Sequence, residues 1–366
     1  MAGILDSLKN TLRSLVGGGS PDSVVGIDIG TSAIKLVQLK RVGGKVVLET
    51  YGAVATGPYV QAEIGQIPQI NTAAMVQALQ DLFREANVTA RKVVLSVQSA
   101  SSLIFVLPLP PVNDRQLAQI VPTEATKYIP VPLSEVNFDW WRIPTETTGQ
   151  APTMVEVLVA AIRKETIRFY QEILTQAKLE PLAFEIETFS GVRSSFMQEL
   201  KPVALIDFGA ASTRVSVLEY GVIRKFQTIN RGAEYYSDAI SKSLQMPFKR
   251  AERLKKEVGL NAVDGDTERT RVAELLKTDV QYVLYEVQKA LLAYEKERNK
   301  VVSKIVVTGG GARMPGFLDA MSEVISIPTE TAEPFNRVQS PAFLDATLKE
   351  VGPEFAIALG AAMKQL

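Results

Sequence analysis

The chain contains neither cysteine nor histidine. Those two absences together remove disulfides, thiolate metal centres, cysteine nucleophiles and imidazole acid–base catalysis. Polar chemistry is left to Asp, Glu, Lys, Arg, Ser and Thr, a set suited to phosphate groups and hard divalent ions. An excess of charge of one sign is missing too, because 40 Lys and Arg balance 40 Asp and Glu. No basic cluster interleaves with aromatics, so nucleic acid is not an expected partner. No apolar run is long enough to span a bilayer, and the N-terminus lacks a signal-peptide core, which points to a reducing cytoplasm. What remains is 366 residues, 46% apolar and 22% charged, enough for two well-buried domains.

The stretch that organises the chain is Val24 to Lys40, VVGIDIGTSAIKLVQLK. Val24, Val25 and Ile27 read as a buried strand that reaches Asp28, turns at Gly30-Thr31-Ser32 and returns through Ile34 to Leu39. Such a hairpin presents backbone N–H groups and two hydroxyls to phosphate oxygens, and Lys35 is placed to add a point charge. The chain then repeats itself. Ala204 to Leu218, ALIDFGAASTRVSVL, aligns without a gap on Gly26 to Leu39, with one extra residue in front. Asp28 matches Asp207, Gly30 matches Gly209, Lys35 matches Arg214 and Leu39 matches Leu218. Two such hairpins imply two similar halves facing one ligand. The backbone around Gly209-Ala210-Ala211-Ser212 would mirror that around Gly30-Thr31-Ser32, and Arg214 is expected to face solvent. Two carboxylates aimed at phosphates make sense with Mg²⁺ between Asp28 and Asp207, mostly through waters. Taken singly, either Asp reads better as an Asx-turn residue; the matched pair reverses that preference.

A third stretch, Lys304 to Met314 (KIVVTGGGARM), is a strand ending in Gly309, Gly310 and Gly311 and running towards a helix. Glycines there let backbone approach a flat or anionic ligand. Two Asp-Gly hairpins followed by a strand–Gly-Gly-Gly turn resemble the phosphate-1, phosphate-2 and adenosine motifs of the actin/Hsp70/sugar-kinase ATPase superfamily. Within it the chain is similar to the PilM family, actin-like type IV pilus assembly proteins related to FtsA. EATKYIPVPLSEVNFDW (Glu124 to Trp140) is the segment most like that family, and the resemblance covers nearly all of the chain after residue 20.

The resemblance implies an α/β, actin-like (ribonuclease H-like) ATPase fold of two duplicated halves with an FtsA/PilM-type 1C insertion. Periodicity fills in the parts. Gly3 to Val16 reads as an amphipathic helix tethered by Gly17-Gly18-Gly19-Ser20-Pro21, so residues 1–20 stand apart. Lys45 to Ala55 and Val93 to Val97 read as strands and Thr72 to Ala86 as a helix, giving subdomain 1A over 21–98 and 163–201. Within 99–162, subdomain 1C, Pro108, Pro110 and Pro111 are expected to end a strand. A helix over Asp114 to Tyr128, a strand over Val136 to Trp141, a hairpin or loop over Thr145 to Pro152 and a strand over Val155 to Ala160 follow. Lys164 to Ala177 and Thr188 to Leu200 read as helices flanking a strand over Leu182 to Ile186. Subdomain 2A takes 202–232 and 301–366, and the largely helical 233–300 forms 2B. The apolar repeat from Leu275 to Leu292 there marks a core helix. Glu354 to Met363 resembles the family's connect-2 helix, whose Gly360 and Ala361 allow close packing.

The resemblance also assigns roles. ATP with Mg²⁺ would lie between the halves, its β- and γ-phosphates clamped by the two turns and its adenosine by Gly309 to Met314. Glu187 matches the connect-1 position where relatives orient water; as plain structure it is a helix N-terminal carboxylate. Glu252 and Lys255 match the helix contacting ribose in FtsA-like proteins, or form an exposed i,i+3 ion pair. Asn230-Arg231-Gly232 departs from the Gly-Gly pair common in relatives. The implied function is a cytoplasmic ATP-binding scaffold of a type IV pilus, or related secretion or competence, platform at the inner membrane. It would be a weak ATPase at most, peripheral to the membrane and able to self-associate. Its partner would be the short N-terminal peptide of a PilN-like membrane protein, with Lys127 to Val136 as a groove wall. The alternatives are an FtsA-like division adaptor, whose C-terminal membrane helix has no counterpart before Leu366, and a small-molecule kinase, for which no acceptor Asp is evident.

Overall fold

The computed structural model describes residues 23–144, 154–197, 199–262 and 265–366. The helix expected over Gly3 to Val16 with its tether, and the loop expected over Thr145 to Pro152, lie outside the described residues.

Two five-stranded sheets repeat one topology. The first contains β1 (Ser23–Ile29), β2 (Ala33–Val42), β3 (Lys45–Ala55), β4 (Lys92–Val97) and β8 (Glu180–Ile186) in the order β3-β2-β1-β4-β8. The second contains β9 (Val203–Phe208), β10 (Thr213–Glu219), β11 (Val222–Ile229), β12 (Lys304–Thr308) and β13 (Thr329–Thr331) in the order β11-β10-β9-β12-β13. The duplication extends to register. Asp28 stands opposite Lys35 as Asp207 stands opposite Arg214. Even the bulge recurs at matched positions, between Gln38 and Leu39 in one sheet and between Val217 and Leu218 in the other.

Side chains alternate between two buried faces of each sheet, as strand geometry requires. Val25, Ile27 and Ile29 pack on helices α1 (Thr72–Glu85) and α3 (Lys164–Gln176). In the second sheet Ala204, Ile206 and Phe208 face α5 (Ala233–Ser243), α6 (Phe248–Val258), α7 (Thr267–Arg298) and α8 (Phe317–Val324). Along α7, Leu276, Val280, Val283, Leu284, Val287 and Leu291 are buried; Leu292, placed on that face by periodicity, is 56% exposed.

Between the sheets lie α4 (Glu187–Ser195) and α9 (Asp345–Met363). Phe355, Ala358 and Leu359 of α9 cover Val37 and Leu39. Here glycine is required by proximity: a Cβ at Gly26 would sit 1.9 Å from the Ala358 carbonyl oxygen, and one at Gly360 would sit 1.9 Å from that of Ser190. Helix α9 begins nine residues before the expected Glu354 and runs through Pro353, whose carbonyl accepts from Gly309 N–H (2.9 Å) and Thr308 Oγ1 (2.7 Å). Helix α4 stops at Ser195 rather than Leu200, and Arg337 donates to the Arg193 and Phe196 carbonyls at its end.

The insertion is a three-stranded antiparallel sheet, β5 (Ser102–Leu109), β7 (Val155–Arg163) and β6 (Val136–Arg142) in that order, covered by α2 (Asp114–Ala125). Pro108 does not end β5. It pairs with Glu156 on an edge strand, where a missing donor is tolerated. Helix α2 opens on an Asn113–Gln116 capping box and continues past Pro122, ending three residues before the expected Tyr128. The insertion has its own core but is not freestanding. Ile104, Ile143 and Leu158 share a cluster with Leu205, Leu218 and Ile223 of the second sheet. Glu156 of β7 accepts from Arg224 of β11 (2.9 Å) and from Arg298 at the end of α7 (2.6 Å).

The contact at Gly360 can be tested by its sign. Ala for Gly inside a helix ordinarily stabilises by about 1 kcal/mol. Here the new methyl would force α9 from α4, so Gly360→Ala is expected to destabilise by about 1–3 kcal/mol, read as a lower urea midpoint at unchanged slope.

Candidate functional site

Both hairpin turns, the glycine turn after β12 and the start of α4 open onto one cleft of about 520 Å³ between the halves, within the usual range for ligand sites. The residues expected to hold nucleotide or metal all line it: Asp28, Gly30, Thr31, Ser32 and Lys35 from the first half, Glu187 at the floor, Asp207 and Gly209 to Ser212 from the second hairpin, then Glu252, Lys255, Gly309, Gly310, Gly311 and Met314. Asn230-Arg231-Gly232 and Lys127 to Val136 do not. The two turns are built alike. Gly30 N–H donates to the Ala33 carbonyl and Gly209 N–H to the Ser212 carbonyl, each at 3.0 Å.

The floor is acidic and buried. Asp28 is buried, accepts from Ser96 Oγ at 3.1 Å, and is pushed above the ordinary carboxylate range by burial. Glu187, the first residue of α4, accepts from Ser99 N–H (2.7 Å) and Arg214 Nη1 (2.6 Å). Burial, joined by the neighbouring charges of Asp28 and Asp207, pushes it up to about 7 against the pull of Arg214.

Arg214 overturns an expectation. It does not face solvent; its side chain is 15% exposed. Standing opposite Asp207 in the ladder, it donates to the Asp207 carboxylate through Nε (3.2 Å) and Nη2, and crosses the floor to Glu187. Two partly desolvated carboxylates hold the guanidinium there and keep it charged.

Glu252 and Lys255 form an ion pair at 2.6 Å, but a buried one rather than an exposed surface pair. Lys255 Nζ also donates to the Ala233 carbonyl (2.7 Å), Ser237 Oγ donates to Glu252, and Lys256 adds a second ammonium at 2.9 Å. In Asn230-Arg231-Gly232, Arg231 turns onto the rings of Tyr282 (3.8 Å) and Tyr235 (4.6 Å). Gly232 stays glycine because a Cβ would lie 2.4 Å from the Ala210 carbonyl oxygen.

The glycine turn owes its composition to packing as well as to the cleft. Gly309 has φ +88, and its Cβ would lie 2.5 Å from Asp207 Oδ1; a Cβ at Gly311 would strike the Phe208 ring at 1.9 Å. A strap from the first half escaped the sequence reading. Gly65 abuts Glu252 so closely that a Cβ would lie 2.7 Å from its carboxyl carbon, and Ile67 N–H donates to Glu234 at 2.7 Å. Only Gly65 itself could have signalled it.

The donor set fits Mg²⁺ with a polyphosphate: hard oxygen ligands from both halves, and amides and ammonium groups around them. Among the described residues no group of three or more His, Cys, Asp or Glu side chains is placed to hold a metal ion.

A family model described as type IV pilus assembly protein PilM matches residues 26–366. FtsA of Streptococcus pneumoniae is 23% identical over 367 residues, covering 87% of this chain and 77% of that protein. FtsA of Neisseria meningitidis is 28% identical over 172 residues, 39% of this chain, and the match spans 41% of that protein's length. A PilM–PilN type IV pilus biogenesis complex superposes with a TM-score of 0.80 at 23% identity, covering 95% of this chain and 99% of the other. EutJ of Carboxydothermus hydrogenoformans gives 0.55 at 16% identity over 98% and 96%. MreB5 of Spiroplasma citri bound to ADP gives 0.52 at 13% over 94% and 96%. These likenesses establish the actin-like fold.

Glu187 gives a pH signature. Its carboxyl titrates higher folded than at its ordinary 4.5, so the folded chain holds that proton longer. The resulting stabilisation is complete below pH 4.5 and is lost as pH rises to about 7. Urea midpoints measured across that window should fall less steeply in Glu187→Gln than in the parent; identical slopes would refute the assignment.

Proposed function

The chain belongs to the family of the type IV pilus assembly protein PilM, and on that premise we propose that it is an ATP-binding actin-like scaffold of a pilus inner-membrane assembly platform. One observation carries this reading: two matched hairpins bring buried carboxylates, Asp28 and Asp207, to one cleft from opposite halves. In this reading the turns at Gly30–Ser32 and Gly209–Ser212 hold the β- and γ-phosphates and Lys35 adds positive charge. Glu252 and Lys255 receive the ribose, and Gly309 to Gly311 with Met314 receive the base. Mg²⁺, when bound, supplies the charge that lets two carboxylates face a polyphosphate. Glu187 is the water-orienting candidate. With its carboxylate engaged by Ser99 and Arg214 and no histidine in the chain, turnover is slow. A scaffold needs only an open and a closed state.

We assign residues 21–98 and 163–201 to subdomain 1A, 99–162 to 1C, 202–232 and 301–366 to 2A and 233–300 to 2B. The partner is the N-terminal cytoplasmic peptide of a PilN-like membrane protein, received between 1A and 1C with Lys127 to Val136 as a wall. The fold shared with a PilM–PilN complex supports that choice. In this reading membrane attachment is peripheral and runs through the partner; no helix among the described residues is long and apolar enough to cross a membrane. An FtsA-like division adaptor is the second reading, favoured by the S. pneumoniae FtsA match over 87% of the chain; the PilM family match outweighs it.

Asp28→Ala and Asp207→Ala are each expected to weaken Mg·ATP binding about ten- to a hundredfold, the scale of one lost charge-assisted contact of about 1.5–3 kcal/mol. Calorimetry with unchanged affinity in both folded variants would sink the nucleotide site. For the partner, a pull-down from membranes should recover a PilN-like protein, in amounts that change with ATP. Recovery of division proteins in its place would favour the FtsA reading.

A further inference from the structure

The two hairpins are alike in register, yet their basic residues behave differently. Both line the cleft, but Arg214 is engaged at the floor by the carboxylates of Glu187 and Asp207. Arg214 rises from β10 in the second half, donates twice to Asp207 beside it, and reaches Glu187 at the head of α4 in the first half (2.6 Å). Asp28 adds a third carboxylate to the same buried neighbourhood. Carboxylates so placed repel one another unless a cation lies among them. A guanidinium meets that need with fixed, directed donors and stays charged when buried. It also engages the carboxylates that a hard divalent ion would use.

We propose that Arg214 is a resident cation that holds the place of a divalent ion between Asp207 and Glu187. These two carboxylates then accept a metal only when the guanidinium turns aside. Arg214 is thus a positioning residue: it ties the halves together at the floor and sets the threshold for metal entry. The inference deepens the nucleotide reading, but its first consequence needs no nucleotide. The free chain should take up divalent ions weakly, and removing the guanidinium should uncover a site.

The experiment titrates the full chain with Mn²⁺ alone, following free Mn²⁺ by electron paramagnetic resonance, in the parent, Arg214→Met and Arg214→Lys. Arg214→Met is expected to bind Mn²⁺ at least about tenfold more tightly than the parent, because two desolvated carboxylates lose their cation. Arg214→Lys, which keeps the charge, should stay close to the parent. Adding Asp207→Asn to Arg214→Met should abolish the gain. Should Arg214→Met fail to fold, Arg214→Gln keeps hydrogen-bonding donors without charge and carries the same comparison. Equal Mn²⁺ affinity in the parent and the neutral variants, or a gain that survives Asp207→Asn, would overturn the proposal. A parallel titration of the parent with ATP separates the two readings: the expected Mn²⁺ pattern without ATP binding would refute the nucleotide site and support Arg214 as the resident cation.

Discussion

Everything in the centre of this molecule depends on backbone meeting backbone around α9. At Gly26 and Gly360 the helix touches β1 on one side and α4 on the other, at separations that leave no room for a side-chain carbon. The same helix receives the Gly309 amide of the second half on the Pro353 carbonyl. One element therefore packs against the first sheet, its connecting helix and the third motif of the second sheet. Small residues (Ala356, Ala358, Ala361 and Ala362, all buried) let it lie that deep. The close contacts along α9 hold the inner side of the cleft, where the two sheets and α4 meet.

The floor of the cleft has a different logic. Burying Asp28, Glu187 and Asp207 in one region is unfavourable unless positive charge accompanies them. The chain supplies Arg214 at the floor and Lys35 at the wall, with the Lys255–Glu252 pair further along. Electrostatic repulsion is thus relieved within the protein, and the hydroxyl and amide donors of the two turns are left to the ligand. The same architecture would let a site rich in carboxylates receive the polyphosphate proposed above.

How far the sequence could be read follows from the range of each signal. The hairpins were legible because residue type and spacing within a few positions determine them, and the second copy removed the ambiguity of the first. The strands and most helices followed from periodicity. Arg214 was misjudged because its partner Glu187 lies 27 positions away, on an element whose placement no local pattern gives. The early end of α4 depends on Arg337, more than 140 positions downstream. Gly309 and Gly311 line the cleft, but their close contacts are with the second hairpin's own strand, at Asp207 and Phe208. The strap at Gly65 carries almost no local signal, since the requirement is set by Glu252 in the other half.

The clasp at Glu156 has a mechanical meaning. The insertion is covalently part of the first half, yet its β7 carboxylate is held by Arg224 and Arg298 of the second, with an apolar seam beside it. It is therefore a crossbar fastened at both ends. Rotation of one half against the other must either shear that fastening or swing the crossbar bodily. If the halves turn about α9, its outer edge, where α2 lies, is the far end of a lever. A small angular change at the cleft thus becomes a larger linear displacement at the rim, and force applied to the rim is returned to the cleft by the same arm.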